Sequence, residues 1–356
     1  MTPVDELMRR AVEDGVFPGA VLLVSHNRQI AWHRAYGVTD LETARRVTPA
    51  TYYDLASLTK ALATTPTVLK LISEGAFGLA SRLGDIFPEF ARTDKAAIQV
   101  QHLLYHTSGL PDWKPYYRLL ADLPPAERGA GLLDCLVREP LIDRTGEVCR
   151  YSDLGFMILQ LLVELHAGQR LDRLVSGHFY QPLGIQELIF APIGGPLPRW
   201  DVAATEKCPW RNRVLSGEVH DENAYALGGI AGQSGLFGTA AAVHHLLTAL
   251  VDMHSGDAGV QLLPAELLRQ AFARCPACQR GLGFDCPDRV GSSSGSRFSP
   301  ESVGHLGYTG TSFWVDLKRR IVVILLSNRI HPSRANDAIK PFRPLLHDTI
   351  MSALLD

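Results

Sequence analysis

A serine and a lysine three residues apart, in Leu55-Ala56-Ser57-Leu58-Thr59-Lys60, are the residues of this chain best placed to do chemistry. Positions i and i+3 of a helix share a face, so the Ser57 hydroxyl and the Lys60 amine can meet. At a helix start, Ser57 has free backbone N–H groups and the positive end of the helix dipole beside it, and both favour negative charge on an attacked substrate. Lys60, flanked by Leu55, Leu58, Ala61 and Leu62, is expected to be partly desolvated. Desolvation lowers an ammonium pKa and frees the amine to accept a proton. A serine with a neighbouring base is a nucleophile. The same spacing also fits a helix-capping serine followed by a surface lysine, so the pair has to be judged by its company.

Further segments offer that company. Tyr151-Ser152-Asp153 opens a stretch of helical periodicity after a turn at Gly146. A tyrosine at a helix start can project its hydroxyl into a cleft, where a nearby lysine favours the phenolate and makes it a proton acceptor. A tyrosine packed under an Asp-capped helix is the structural alternative. His305-Leu306-Gly307-Tyr308-Thr309-Gly310 opens a strand hairpin. Its glycines let substrate approach the backbone, and the Tyr308 N–H could face a developing oxyanion alongside that of Ser57. A glycine-rich turn with a satisfied histidine is the alternative there. Segments 102–111 and 227–238 are small-residue loops, and neither is a phosphate loop, since no Gly-Lys-Ser/Thr follows and no βαβ unit surrounds them. Gly291-Ser292-Ser293-Ser294-Gly295 matches G-x-S-x-G, but a nucleophile elbow needs a buried strand before it and a helix after it. A flexible solvent loop is expected instead.

The elements that must position these residues follow from composition and periodicity. With 356 residues, 46% of them hydrophobic and 20% charged, the chain can bury a sizeable core in one or two domains. A net charge of −2 without a long Lys/Arg run argues against nucleic acid or an anionic membrane as partner. No stretch reaches membrane-spanning length and the opening residues lack a signal-peptide core, so a cytoplasmic location is the default expectation, and a periplasmic one if a leader has been removed. Cys135, Cys149, Cys208, Cys275, Cys278 and Cys286 are expected to be reduced thiols. Cys275 and Cys278 have CxxC spacing without a second pair, and neither a metal nor a cofactor is expected.

Helical periodicity covers residues 5–17, 57–74 (where Pro66 should kink the helix), 100–105, 131–138, 153–166, 172–180, 240–253, 264–273 and 337–355. Strand patterns occur at 19–24 and 30–36, around a turn at 26–28, and again at 281–285, 304–308, 312–317 and 321–327. Strands therefore cluster at both chain ends. The simplest architecture is α+β: one antiparallel sheet assembled from the two termini, with a mostly helical region inserted.

In this order, Ser57-x-x-Lys60, Tyr151-Ser152-Asp153 and His305-Leu306-Gly307 resemble the three motifs of the serine β-lactamase and penicillin-binding-protein superfamily. The resemblance is greatest to its class C-like branch of esterases, D-aminopeptidases and D-alanyl-D-alanine carboxypeptidases. Supporting segments span nearly the whole chain: Phe17-Pro18-Gly19-Ala20, His106-Thr107-Ser108-Gly109-Leu110-Pro111, Gly232-Gln233-Ser234-Gly235-Leu236-Phe237 and Leu325-Leu326-Ser327-Asn328. The resemblance implies a β-lactamase/transpeptidase-like fold. Its sheet domain would comprise residues 1–60 and 280–356, its helical domain residues 61–279, and its active site the cleft between them. It further implies that Ser57 forms an acyl-enzyme that water hydrolyses, that Lys60 and Tyr151 share proton transfer, and that the N–H groups of Ser57 and Tyr308 form the oxyanion hole. Asp153, His305, Gly307 and Trp113 would support or contact the substrate, Trp113 as an apolar wall of the acyl pocket or as core packing.

Two departures from the family pattern bear on substrate. Asp153 stands where the second motif usually has Asn, which tends to keep Lys60 charged and shift base duty toward Tyr151. His305 replaces the lysine of K-T-G and is largely neutral at pH 7, so a fixed charge for a substrate carboxylate is lost. Arg211 or Arg213 are candidates to restore it. The expected function is hydrolysis of an ester or amide of a small molecule or peptide. A carboxypeptidase acting on D-amino-acid or cell-wall peptides, or a β-lactamase, is the alternative, and a slow penicillin-binding or sensing module is a second. The expected partner is a substrate with an ester, amide or lactam carbonyl.

Overall fold

The computed structural model describes residues 2–195 and 201–356. Strand-forming residues from both ends of the chain meet in one seven-stranded antiparallel sheet. Its strands are β1 (Gly19–His26), β2 (Gln29–Gly37), β3 (Arg280–Gly281), β4 (Phe284–Asp285), β5 (Val303–Leu306), β6 (Ser312–Asp316) and β7 (Ile321–Ser327), in the order β2-β1-β7-β6-β5-β4-β3. The β1–β2 hairpin turns at Asn27 and Arg28, both in the left-handed region, as the twist of a tight hairpin requires. The long-range pairing is β1 with β7, from Ala20 opposite Ser327 to His26 opposite Ile321.

Alternate residues of a strand face opposite sides, and here both sides are covered. Val21, Leu23, Phe313, Val315, Val322 and Ile324 join a core shared with the helical region, including helix Ala240–Ser255. Ala20, Leu22, Val24, Trp314, Val323 and Leu325 face the two terminal helices, Thr2–Glu13 and Ile339–Leu355. This is why β1 and β7 read as continuous apolar runs rather than alternating ones. Leu22 and Leu23 are fully buried, each contributing about 1.5–3 kcal/mol.

Several elements differ from expectation. Residues 281–285 are not one strand: β3 and β4 form a tight hairpin whose Gly283 has φ +71°. Residues 57–74 are not one helix. Ser57 lies in a turn, residues Lys60–Thr64 form a π-helix, and the α-helix begins at Thr65. Pro66 falls in the first turn of that α-helix, directly after the π-helix, a position that tolerates its missing N–H. Residues 172–180 divide into helix Leu171–Val175 and π-helix Ser176–Tyr180. Between residues 188 and 238, short strands appear where a helical region was expected. Leu236–Gly238 pairs with both Leu188–Phe190 and Tyr53–Asp54, and this small sheet leads directly into Ser57. No helix among the described residues is long and apolar enough to cross a membrane.

Candidate active site

The turn that presents Ser57 is held under strain. Ala56 has φ +48°, a conformation that costs a non-glycine residue about 1–3 kcal/mol. Asp54 holds it there: its Oδ1 accepts the Ala56 N–H at 2.9 Å and its Oδ2 accepts the His220 N–H at 2.6 Å. The third motif clamps the same turn. Thr309 Oγ1 donates to the Asp54 carbonyl at 2.7 Å and Thr311 Oγ1 to the Leu55 carbonyl at 3.0 Å. Gly307 permits this approach, since a Cβ there would lie 2.0 Å from Thr311 Oγ1 and 2.8 Å from the Leu55 oxygen. Neither the Ser57 nor the Tyr308 N–H donates to a protein acceptor among the described residues.

Lys60 is completely buried. Its Nζ donates to Ser57 Oγ and to the Gln233 carbonyl, each at 3.1 Å, and lies 2.7 Å from Asp153 Oδ1. Burial alone would lower the pKa, but the Asp153 carboxylate and then Tyr151 outweigh it, and the pKa is raised. The Asp153 carboxylate thus offsets the desolvation that would otherwise free the amine. The Tyr151 hydroxyl contacts both Lys60 and Ser57. Burial raises its pKa despite the opposing pull of Lys60, so the resting group is a phenol.

Tyr151 is held by partners on several sides. Ser152 caps helix Asp153–Ala167, accepting the Gly155 N–H at 3.4 Å and donating to the Pro111 carbonyl at 2.6 Å. The Ser152 N–H donates to His106 Nδ1 at 3.0 Å, which places the His106 proton on Nε2. The His106 ring packs on Tyr151 with centroids 4.5 Å apart, and burial holds its pKa well below the usual value. The Arg280 guanidinium lies 5.5 Å from the Tyr151 ring centroid and is paired with Asp285. His106 was visible in the sequence only as part of a supporting segment. Gln233 is fixed by its neighbour: the Gly232 N–H donates to Gln160 Oε1 at 3.0 Å, and its carbonyl accepts from Thr64 Oγ1 at 2.6 Å.

Two cavities of about 340 and 280 Å³ meet at Ser57, Tyr151 and Tyr308. The first is bordered by Trp113 and by four carboxylates, Asp112, Asp153, Asp221 and Glu222, against one cation, Arg334. Burial and the neighbouring Asp153 push Asp221 up to about 6. The second is bordered by Arg280, Arg329, Lys340 and Arg343 against one carboxylate, Asp285. His305 also lines it. Its Nδ1 donates to the Leu306 carbonyl at 2.9 Å, its Nε2 has no partner, and burial drives its pKa to about 4. The histidine is neutral, and of the four cations bordering the same cavity Arg280 pairs with Asp285, Arg329 and Lys340 pair with Asp337, and Arg343 donates to the Thr311 carbonyl at 2.9 Å.

Arg211 and Arg213 do not supply the fixed charge expected of them. Arg211 donates to the Val219 and His220 carbonyls at 2.7 and 2.5 Å, Arg213 pairs with Glu218 at 2.6 Å, and neither borders the two cavities. A larger cavity of about 700 Å³ beside residues 291–296 holds none of the candidate catalytic residues. That serine-rich loop is tied into the fold rather than standing free in solvent. Ser292 and Ser294 are buried and bonded to each other at 2.7 Å, and Asp348 accepts from the Ser296 N–H at 2.7 Å. It carries no helix after the serines, so it is no nucleophile elbow.

A serine touching a buried lysine and a tyrosine, at the edge of a sheet built from both chain ends, is the arrangement of an acyl-transferring serine hydrolase. The Beta-lactamase family model matches residues 4–344. A protein of Escherichia coli (strain K12), provisionally named a D-alanyl-D-alanine carboxypeptidase, is 30% identical over 96% of this chain and 85% of its own length. Among solved structures, EstCE1, described as a hydrolase with promiscuous acyltransferase activity, superposes with a TM-score of 0.74 at 19% identity over 96% of this chain and 98% of that one. An octameric penicillin-binding protein homologue from Pyrococcus abyssi gives 0.74 at 18% identity over 97% and 77%. The chain belongs to the β-lactamase family and is a serine hydrolase.

Proposed function

We propose that Ser57 is the acylated nucleophile and that the enzyme hydrolyses the terminal amide of a short peptide, its leaving group carrying a carboxylate into the basic cavity. The observation that carries this reading is the position of Ser57 and Tyr151 at the junction of an acidic and a basic cavity. In this scheme Tyr151, as phenolate beside the Lys60 ammonium, takes the Ser57 proton while Oγ attacks the carbonyl. The oxyanion is received by the N–H groups of Ser57 and Tyr308. The same proton then passes to the leaving amine, and water repeats the sequence to release the acid. Lys60, Tyr151 and Asp153 act as one coupled set.

The proposed layout keeps residues 1–60 and 280–356 as one side of the cleft and 61–279 as the other. Trp113 would line the acyl side, and His305, as a neutral neighbour, would shape the leaving-group side. A cytoplasmic location is part of the proposal. A second reading, ester hydrolysis, is favoured by the neutral His305. D-alanyl-D-alanine, a p-nitrophenyl ester and nitrocefin, each tested for turnover and for a covalent adduct by mass spectrometry, separate these readings. Preferred turnover of the dipeptide, abolished in a folded Ser57→Ala variant, supports the proposal. Turnover of the ester alone favours the second reading, and a stable adduct without turnover indicates a penicillin-binding protein. Unchanged activity in Ser57→Ala removes the reading altogether.

A further inference from the structure

Four of the six cysteines lie beside the segment that carries Tyr151, although they are far apart in sequence. Cys149, two residues before Tyr151, is exposed, and its Sγ lies 3.7 Å from the Tyr105 carbonyl. Its thiol meets the thiol of Cys278, which is buried, lies 3.8 Å from the Arg280 carbonyl, and also touches Cys275. Cys286 is close enough to act, with Cys275 and Cys278, on the Tyr105 phenol. Arg280 joins this group to the active site: its guanidinium contacts Cys149 on one side and packs over the Tyr151 ring on the other.

The two contacting thiols are chemically unequal. The Cys278 contact and the Arg280 charge lower the Cys149 pKa to about 7, whereas contact with Cys149 and burial raise that of Cys278. The exposed member is therefore the more readily deprotonated of the two, and the buried member keeps its proton. An accessible thiolate next to a protonated thiol is the requirement for a peroxide-reactive cysteine with a resolving partner. The described residues offer no three-ligand arrangement for a metal in this cluster.

We propose that Cys149 and Cys278 are a reversible oxidation site, at which hydrogen peroxide or an organic hydroperoxide closes a disulfide that restrains the Tyr151 segment. The Cys149 thiolate attacks a peroxide oxygen, the O–O bond breaks, and hydroxide (or alkoxide) leaves, giving a sulfenic acid. The Cys278 thiol displaces the sulfenic hydroxyl as water, and the S–S bond forms. Two electrons pass from the sulfur pair to the peroxide, and a dithiol reductant reverses the change. Closing the bond to about 2.05 Å draws Cys149 toward the β3 side, taking its negative charge from Arg280 and shifting the backbone two residues before Tyr151. The effect on turnover rests on the catalytic role proposed above for Tyr151, whereas the disulfide itself does not.

The test is intact-protein and peptide mass spectrometry after near-stoichiometric hydrogen peroxide and thiol alkylation, with ester turnover measured on the same samples. The expected result is loss of two hydrogens, a cross-linked peptide joining Cys149 to Cys278, and a fall in turnover of about tenfold that dithiothreitol reverses. In Cys278→Ser, peroxide should leave a Cys149 sulfenic acid that dimedone traps, and in Cys149→Ser the cross-link should vanish. A disulfide between Cys275 and Cys278, or alkylation of all six thiols after peroxide, overturns the site. A Cys149–Cys278 disulfide with unchanged turnover overturns its coupling to Tyr151. If neither oxidised nor reduced enzyme turns over any substrate, the proposed activity fails while the mass spectrum still decides the thiol pair.

Discussion

At the scale of single residues, Asp153 decides how the site holds its protons. At 2.7 Å from Lys60 Nζ it keeps the lysine an ammonium, and it also raises the Tyr151 pKa. In the proposed scheme the Tyr151 phenol must lose its proton before it can take that of Ser57, so kcat/KM should climb into the alkaline range. Asp153→Asn removes the negative charge and lowers both pKa values, so the rising limb of the pH–kcat/KM profile should move to lower pH. An unmoved limb would mean that Lys60 and Tyr151 are not the titrating groups. The types and order of Ser57, Lys60, Tyr151 and Asp153 were readable in the sequence because each lies in a short motif at a helix end. The four cations of the second cavity were not. Arg280, Arg329, Lys340 and Arg343 come from a hairpin, a loop and a helix, and nothing in local spacing marks residues that meet only in space.

At the scale of elements, the loop 232–237 and helix Asp153–Ala167 form the back wall that delivers Gln233 to Lys60. Their contact depends on Gly232, where a Cβ would stand 2.1 Å from the Phe156 carbonyl oxygen, on the backbone of the helix that carries Asp153. Gly232→Ala should therefore destabilise the fold by about 2 kcal/mol or more and lower kcat with it. Thermal unfolding with parallel kinetics checks this, and a variant with unchanged midpoint and rate would show that the two elements move apart freely. The longer elements of the sheet and the terminal helix were legible from their periodicity. Strands of two or three residues, such as Tyr53–Asp54 and Leu236–Gly238, contain too few side chains to show a period. The turn at Ser57 was read as helix because its apolar residues continue the helical pattern, while its real determinant is a distant acceptor, the Asp54 side chain that fixes Ala56.

At the scale of the whole molecule, charge pairs join segments that the sheet leaves separate. Arg334 binds Glu206 with contacts of 2.5–2.9 Å and Glu222 at 2.6 Å, tying the chain after β7 to the segments bordering the acidic cavity. Burial would raise the Glu206 pKa, but hydrogen bonds from His220 and Arg334 outweigh it and hold the value at about 2, below its ordinary 4.5. A depressed carboxylate pKa stabilises the fold above the unfolded-state value and loses that contribution as pH falls toward the folded value. The difference in urea midpoint between the native enzyme and Arg334→Gln should therefore be largest near neutral pH and shrink between about pH 4.5 and 2. A difference that stays constant with pH would exclude Glu206 as the linked group. The pairing of Ala20 with Ser327 has a further consequence, in time. During synthesis at about 5–20 residues per second, β1 waits roughly 15–60 s for its partner. Closure over so long a span is intrinsically slow. Until then an apolar hairpin stands open on the ribosome, shielded only by chaperones or by the growing helical region. The second cavity, bordered by Lys340 and Arg343, is completed last, so a prematurely released chain carries Ser57 without it.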